Sequence, residues 1–390
     1  MKNKLMIIIS KLLELLSCLV PKSKKIWIFG AWQGKLYADN TKYMFEYVNA
    51  NHKSIKAIWI TKNDDVVRQV RSMGFKCYKP SSFKGMWYVM RAKVAFETEG
   101  NRDIAYFLNS KRTKVIQLWH GMGAKAMKWK DKDGNVNIEK KKIIEIMSSY
   151  HWISTSELYT NVFNDLLCIP KDRFVITGYP RNDNLVKAPK NEYMESLKEK
   201  YNDCKLLMYM PTHRNFGADG NKLINIDELR RVDKMLKDKN LVMVYKPHIH
   251  ELKNFLSYES EFTNIVMAKD QNVWGDVYSY LHYFDLVISD YSSITTDFMC
   301  TGKPVVIFAY DLDDYINGDA GLNDYFWELP GGPICYTWDD VIKKSESLLT
   351  NDEWKEERER CRVQYHYYND GKNCERVYNM VMDILKNKKQ

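Results

Sequence analysis

Four short stretches carry the side chains best suited to chemistry: Trp119-His120-Gly121, Met210-Pro211-Thr212-His213-Arg214, Lys246-Pro247-His248 and Ser289-Asp290-Tyr291-Ser292-Ser293. His120 is the candidate general base, because an imidazole titrates near neutrality and takes a hydroxyl proton without extreme tuning. Gly121 beside it lets a substrate come close to the backbone. Arg214, Lys246 and His248 have the charge to clamp a pyrophosphate and neutralise a leaving phosphate, the arginine through paired hydrogen bonds. Ser292 and Ser293 open a helix whose unpaired N–H groups and partial positive charge suit an anion. Asp297, about one turn further on, is placed to meet a ribose or polyol hydroxyl. Each residue also has an ordinary explanation: a loop histidine bonded to backbone, surface charge, a helix cap. The joint pattern is what points to a phosphate ligand beside a proton acceptor. Asp39-Asn40 is compatible with binding an acceptor hydroxyl and equally with capping a helix, and His213 and His250 receive no role.

Each cluster follows a short apolar β run, so the chemistry depends on strands that deliver it to their carboxyl ends. In the first half these runs are Ile26–Gly30, Ala57–Ile60, Phe75–Tyr78, Lys93–Phe96, Lys114–Trp119, Trp152–Ser154 and Phe174–Thr177. Helical patterns lie between most of them, at Thr41–Val48, Asp64–Met73, Phe83–Arg91, Lys140–Met147 and Ser156–Phe163. Strand alternating with helix predicts an open, mostly parallel α/β sheet that binds ligand outside the strand carboxyl ends. Gly178–Pro189 breaks the rhythm with a glycine, two prolines and polar turn residues, and marks a domain junction. A second series comes after it, with strands at Lys205–Met210, Leu241–Tyr245, Asn264–Met267, Leu286–Ser289 and Val305–Ala309 and helices at Asp227–Leu236 and Val277–Tyr283. Gly302 stops the helix begun at Ser292, and Pro304 forbids its continuation. Helices at Trp338–Leu349, Asp352–Gln364 and Lys372–Lys386 close the chain. The expected domains are therefore 1–24, 25–185 and 186–370, with 371–390 returning as a helix to the first.

At 390 residues the chain has the length of two domains, and 45% hydrophobic residues suffice for two cores. The net charge of +9 is spread along the sequence and fits anionic partners: a nucleotide, a phosphate-rich polymer or an acidic leaflet. Nucleic acid is not expected, because no helix-turn-helix, zinc-finger or RNP-like signature accompanies the charge. The eight cysteines form no C-x-x-C pair, which argues for a reducing compartment and against a thiolate metal site. No histidine pair has metal-ligand spacing, and no metal ligand is assigned. Leu5–Val20 is too short and too interrupted by Lys11 and Glu14 to span a bilayer. With Lys22, Lys24 and Lys25 after it, it reads as an amphipathic helix on an anionic leaflet, the alternative being a helix docked on its own protein.

Together the motifs resemble the CDP-glycerol glycerophosphotransferase family, which primes and extends teichoic acids and related capsule polymers. The matching stretches are WHG at Trp119–Gly121, GYPRND at Gly178–Asp183, PTHR at Pro211–Arg214, KPH at Lys246–His248, SDYSS at Ser289–Ser293, FAYDLDDY at Phe308–Tyr315 and LPGG at Leu329–Gly332. The resemblance implies a GT-B fold, two Rossmann-like domains facing a cleft with the CDP donor held by the second. It further implies a peripheral enzyme of the cytoplasmic membrane face that transfers glycerol phosphate to a lipid-linked glycan or polymer, with no obligatory metal and Mg²⁺ as an optional aid. His120 and His248 resemble the family's two essential histidines. Thr212, Arg214, Lys246, Ser292, Ser293 and Asp297 fall in its donor-binding stretches; Gly121, Lys125 and Asp39 are the acceptor-side expectations. The chain departs from the family where Met122-Gly123-Ala124-Lys125 replaces the usual T-P-x-K, keeping the lysine, and where His213 replaces a tryptophan. Its length is nearer the primase-like members. CDP-ribitol is a rival donor, and a sugar-transferring GT-B enzyme is the alternative of a different class.

Overall fold

A computed structural model describes residues 2–121, 129, 136–202, 204–212, 226–247, 256–318, 321–323 and 325–386. The chain divides into two compact units. The first comprises Met1–His120, Trp129–Asp183 and Asp370–Gln390; the second comprises Gly121–Lys128 and Asn184–Asn369.

The first unit is built on seven strands: β1 (Ser23–Phe29), β2 (Lys56–Ile60), β3 (Cys77–Tyr78), β4 (Ala92–Glu97), β5 (Lys114–Gln117), β6 (His151–Ser154) and β7 (Phe174–Ile176). They pair in the order β3-β2-β1-β4-β5-β6-β7, every pair parallel. Trp27, Ile28 and Phe29 are wholly buried, as a strand covered on both faces requires. Across the β1–β4 pair Phe29 faces Phe96, their rings stacked with centroids 4.5 Å apart. Strand order reverses between β1 and β4, so their carboxyl ends form the topological switch point at which such sheets bind ligand. Gly30 ends β1 there, and a Cβ on it would lie 2.3 Å from the Asp103 carbonyl oxygen.

Helices of this unit include α1 (Lys2–Leu16), α2 (Asp39–Asn51), α3 (Asp64–Ser72) and α4 (Phe83–Arg91). The start of α2 falls at Asp39, whose carboxylate is buried rather than presented as a surface cap. The far end of α1 is tied to its own unit, where the Arg112 guanidinium donates to the carbonyls of Ser17 at 2.8 Å and Val20 at 3.4 Å. The last helix, Asn373–Lys386, also belongs to this unit. Asp183 accepts from the Asn373 and Cys374 backbone N–H groups at 2.8 and 3.0 Å, a carboxylate at a helix N-terminus. Gly178 makes room for that junction, since a Cβ there would sit 2.3 Å from Asn373 Oδ1.

The second unit has six parallel strands, β8 (Lys205–Tyr209), β9 (Leu241–Tyr245), β10 (Ile265–Met267), β11 (Leu286–Ser289), β12 (Val305–Phe308) and β13 (Ile334–Cys335). Their order is β10-β9-β8-β11-β12-β13, with the switch between β8 and β11. Leu207, Leu286 and Ile288 pack with Val341 and Ile342 of the helix Trp338–Thr350 in one apolar core. One expectation shifts, and one strand has no counterpart in the sequence reading. The helix foreseen at Val277–Tyr283 is two 3₁₀ turns, because Tyr280 between them has φ −141°. The edge strand β13 is only two residues long, too short to show an apolar period in the sequence.

Candidate active site

The loop after β5 carries His120, and its backbone is held at Leu118, Trp119 and His120. The Asn40 side-chain amide donates to the Leu118 carbonyl at 3.1 Å and the Trp119 carbonyl at 2.9 Å. The next carbonyl, of His120 itself, accepts from the Arg181 guanidinium at 2.8 Å. Trp119 N–H donates to Gln117 Oε1 at 3.0 Å. This restraint is needed because Trp119 sits at φ +53°, a left-handed conformation that a bulky side chain adopts only when its surroundings impose it. Gly121 at φ +104° then turns the chain away. The Trp119 ring stacks on the imidazole with centroids 4.6 Å apart and packs against Trp152 and Phe163 behind it.

Arg181 and Asp39 form a buried ion pair, 2.8 Å long, with side chains only 3% and 5% exposed. Asp39 also accepts from Trp32 Nε1 at 3.2 Å and from Asn40 N–H at 2.7 Å. Asn40 Oδ1 in turn accepts the Arg181 backbone N–H at 3.2 Å. Asp39 was expected on the acceptor side; the structure places its carboxylate on Arg181 and Trp32, beneath the His120 loop. In the sequence Arg181 stands out only as part of GYPRND. Its role depends on partners about 140 residues away in sequence, which spacing does not reveal.

A pair of buried acids lies at the carboxyl end of β4. Glu97 and Asp103 are fully buried, and burial, reinforced in Glu97 by the Asp103 charge, holds the Glu97 carboxyl well above the usual range. Gln117 Nε2 donates to Glu97 Oε1 at 3.3 Å. Burial also pushes Asp103 upward, opposed by the N–H groups of Glu99, Thr98 and Gln33 that point at it. His120 Nδ1 lies 3.2 Å from the Thr98 carbonyl oxygen. A carboxylate cluster of this kind leaves no pattern in the sequence beyond the acids themselves.

In the second unit the loops after β8 and β11 meet at the switch point. Thr212 N–H donates to both oxygens of Asp290, at 2.9 and 3.0 Å, and its hydroxyl adds a further bond to the same carboxylate. Asp290, the acid of SDYSS, therefore holds Thr212 of PTHR. Ser292 and Ser293 are half-buried at the start of the short helix Ile294–Phe298; their carbonyls accept from the hydroxyls of Thr295 and Thr296, each at 2.9 Å. Asp297 is buried, accepts the Tyr278 hydroxyl and lies 3.5 Å from His366 Nε2, so its carboxylate faces inward. Lys246 donates to the Trp274 carbonyl. Burial lowers its pKa to about 8 against the opposing charge of Asp276. Arg214, His248 and Lys125 lie outside the described residues, as do His213 and His250. Among the described residues no group of three His, Cys, Asp or Glu side chains is arranged to hold a metal ion.

The model of the CDP-glycerol:poly(glycerophosphate) glycerophosphotransferase family matches residues 12–383. The chain is 25% identical over 377 residues to a teichoic acid glycerol-phosphate transferase of Staphylococcus aureus (strain NCTC 8325 / PS 47), covering 91% of this chain and 92% of that protein. It is 29% identical over 323 residues to a teichoic acid poly(glycerol phosphate) polymerase of Staphylococcus epidermidis, covering 79% of this chain but 43% of the polymerase. Among solved structures, the wall teichoic acid polymerase TagF soaked with CDPG is similar at TM-score 0.81 and 25% identity, over 98% of this chain and 94% of that one. The two parallel sheets thus share the GT-B-like fold of that protein.

Proposed function

Because the chain belongs to the CDP-glycerol:poly(glycerophosphate) glycerophosphotransferase family, we propose that it transfers a polyol phosphate, glycerol phosphate first, from a CDP-activated donor to a hydroxyl of a membrane-linked teichoic-acid or capsule-type acceptor. The observation that carries this reading is His120, held by its own backbone at the carboxyl edge of the first sheet. Its imidazole takes the acceptor's hydroxyl proton while that oxygen attacks the donor's β-phosphorus. The bond to the CMP oxygen breaks, and CMP leaves with the electron pair. In the second unit Lys246, with Arg214, His248, Thr212, Ser292 and Ser293, carries the donor phosphates and stabilises the leaving charge. Asp297 supports this segment through Tyr278.

The test incubates the full chain and a lipid-linked acceptor separately with CDP-glycerol, CDP-ribitol and nucleotide sugars. CMP and a phosphodiester product are expected from a CDP-polyol; a nucleoside diphosphate and a glycoside overturn the proposal. Lys246 loses its charge as pH rises through about 8. The KM for the CDP donor is therefore expected to climb above that pH, and a Lys246→Met variant to show a raised, flat profile.

The first unit also supports a peripheral membrane location. No described helix is long and apolar enough to cross a membrane. On α1, Leu12, Leu15 and Leu16 point to solvent, and on α4 Phe83 and Trp87, one turn apart, are 81% and 42% exposed. Ile9 and Leu13 of α1 and Met86 of α4 line a shared cleft of about 540 Å³, with Lys62 and Lys79 at it. Residues 79–93 carry four bases and no acid, and 105–114 carry three bases and no acid. Exposed apolar side chains among cations fit an anionic leaflet. Lys22, expected to face that leaflet, instead donates to Thr113 Oγ1 at 2.9 Å. Co-sedimentation with phosphatidylglycerol vesicles, and not with phosphatidylcholine ones, is expected, weakened at least tenfold by Phe83→Ser with Trp87→Ser. Equal partition of wild type and variant would remove this face from the contact.

A further inference from the structure

A base must keep its lone pair on the nitrogen that meets the substrate, and the structure shows what decides this for His120. Nδ1 lies 3.2 Å from the Thr98 carbonyl oxygen. A carbonyl has no proton to give, so this contact is a hydrogen bond only when Nδ1 carries the hydrogen. A neutral imidazole has one ring proton, and the lone pair is then on Nε2.

The orientation of the Thr98 carbonyl is set from behind. Asp103 Oδ2 accepts from the N–H groups of Thr98 and Glu99 at 2.7 and 2.8 Å and from the Thr98 hydroxyl at 3.1 Å. In a trans peptide the C=O and the following N–H point opposite ways. With Glu99 N–H directed at Asp103, the Thr98 C=O of the same plane is directed away from it, toward the imidazole. The other oxygen, Oδ1, accepts Gln33 N–H at 2.7 Å. Trp32 and Gln33 stand at φ +50° and +57°, and the Trp32 ring lies 5.5 Å from that of His120. One buried carboxylate thus ties the loops after β1 and β4 to each other beside the histidine. Gly30 is shaped for the same residue, admitting the Asp103 carbonyl where a Cβ would collide.

We propose that Asp103 is a positioning residue of the transfer reaction: by anchoring the Thr98–Glu99 peptide it aims the Thr98 carbonyl at His120 Nδ1 and keeps Nε2 as the proton-accepting nitrogen. This rests on the reading of His120 as the base. The acceptor's proton moves to Nε2, giving an imidazolium whose Nδ1–H still bonds the Thr98 carbonyl, and later passes to solvent.

The test is ¹⁵N NMR of histidine-labelled full-length protein, with His120 assigned by its absence in a His120→Gln variant. The wild type is expected to hold the Nδ1–H tautomer. Asp103→Asn, which turns an amide NH₂ toward backbone donors, is expected to give a mixture of tautomers. Its kcat for CMP release is expected to fall about 10²-fold, the cost of a small misplacement, with the donor KM unchanged. Should Asp103→Asn fail to fold, Glu99→Pro deletes the Glu99 N–H while leaving the Asp103 carboxylate in place, and is expected to shift the tautomer the same way. An Nε2–H tautomer in the wild type, or a folded variant with wild-type tautomer and kcat, overturns the proposal. Full turnover by a His120→Ala variant would instead remove the base reading while leaving the tautomer result standing.

Discussion

A His120→Ala variant is expected to release CMP from the CDP donor about 10²–10⁴-fold more slowly than the wild type, the range that a positioned proton acceptor contributes. Donor binding should survive, because the residues proposed to hold the phosphates are in the second unit. Stability should change little: the ring is half-buried, and the carbonyl clamps from Asn40 and Arg181 act on the backbone of residues 118–120, which the substitution leaves in place. Single-turnover CMP release with saturating donor, together with thermal unfolding, separates these effects. Wild-type turnover in the variant would exclude His120 as the base; weakened donor binding with unchanged single-turnover rate would assign it to binding instead.

Arg181→Met is expected to damage both fold and activity. It strands the Asp39 carboxylate in a buried site, and removing one partner of such a pair costs about 3–5 kcal/mol. It also removes the donor to the His120 carbonyl, leaving the loop at Trp119 without one of the bonds that hold its left-handed turn. A loss of about 10²-fold in kcat is expected from the resulting misplacement. The pair and the clamp can be told apart by adding Asp39→Leu. Replacing a buried ion pair with apolar side chains is often close to neutral for stability. The double variant should therefore recover much of the lost unfolding free energy while staying slow. If Arg181→Met unfolds with the wild-type midpoint and turns over normally, neither role is correct.

The motifs differed in how far their function could be read from spacing. In GYPRND, the glycine, proline and polar residues mark a break in the strand–helix rhythm, and Asp183 ends a segment of the first compact unit. The same residues also build the site: Arg181 clamps the His120 carbonyl, and Asp183 caps the returning helix. In SDYSS the serine hydroxyls are suited to donating hydrogen bonds to a phosphate. Asp290, between strand and turn, is the residue that fastens Thr212 of PTHR. The places of Asp297 and Asp39 near helix starts fit ligand groups in the sequence, and for Asp39 a helix cap equally; both carboxylates are buried against protein partners.

The sequence alone determined the architecture and pointed to the strand ends where polar residues gather. Short strands that are apolar throughout can be satisfied only by cover on both faces, which means parallel sheets flanked by helices, and such sheets present polar residues at their carboxyl edges. Tertiary structure decided which of those polar groups look outward and which hold the backbone. A buried acid or arginine is indistinguishable in a sequence from a catalytic one until its partner is known. Asp39 meets Arg181 across 142 positions of chain, and only the folded sheet brings them together beneath His120.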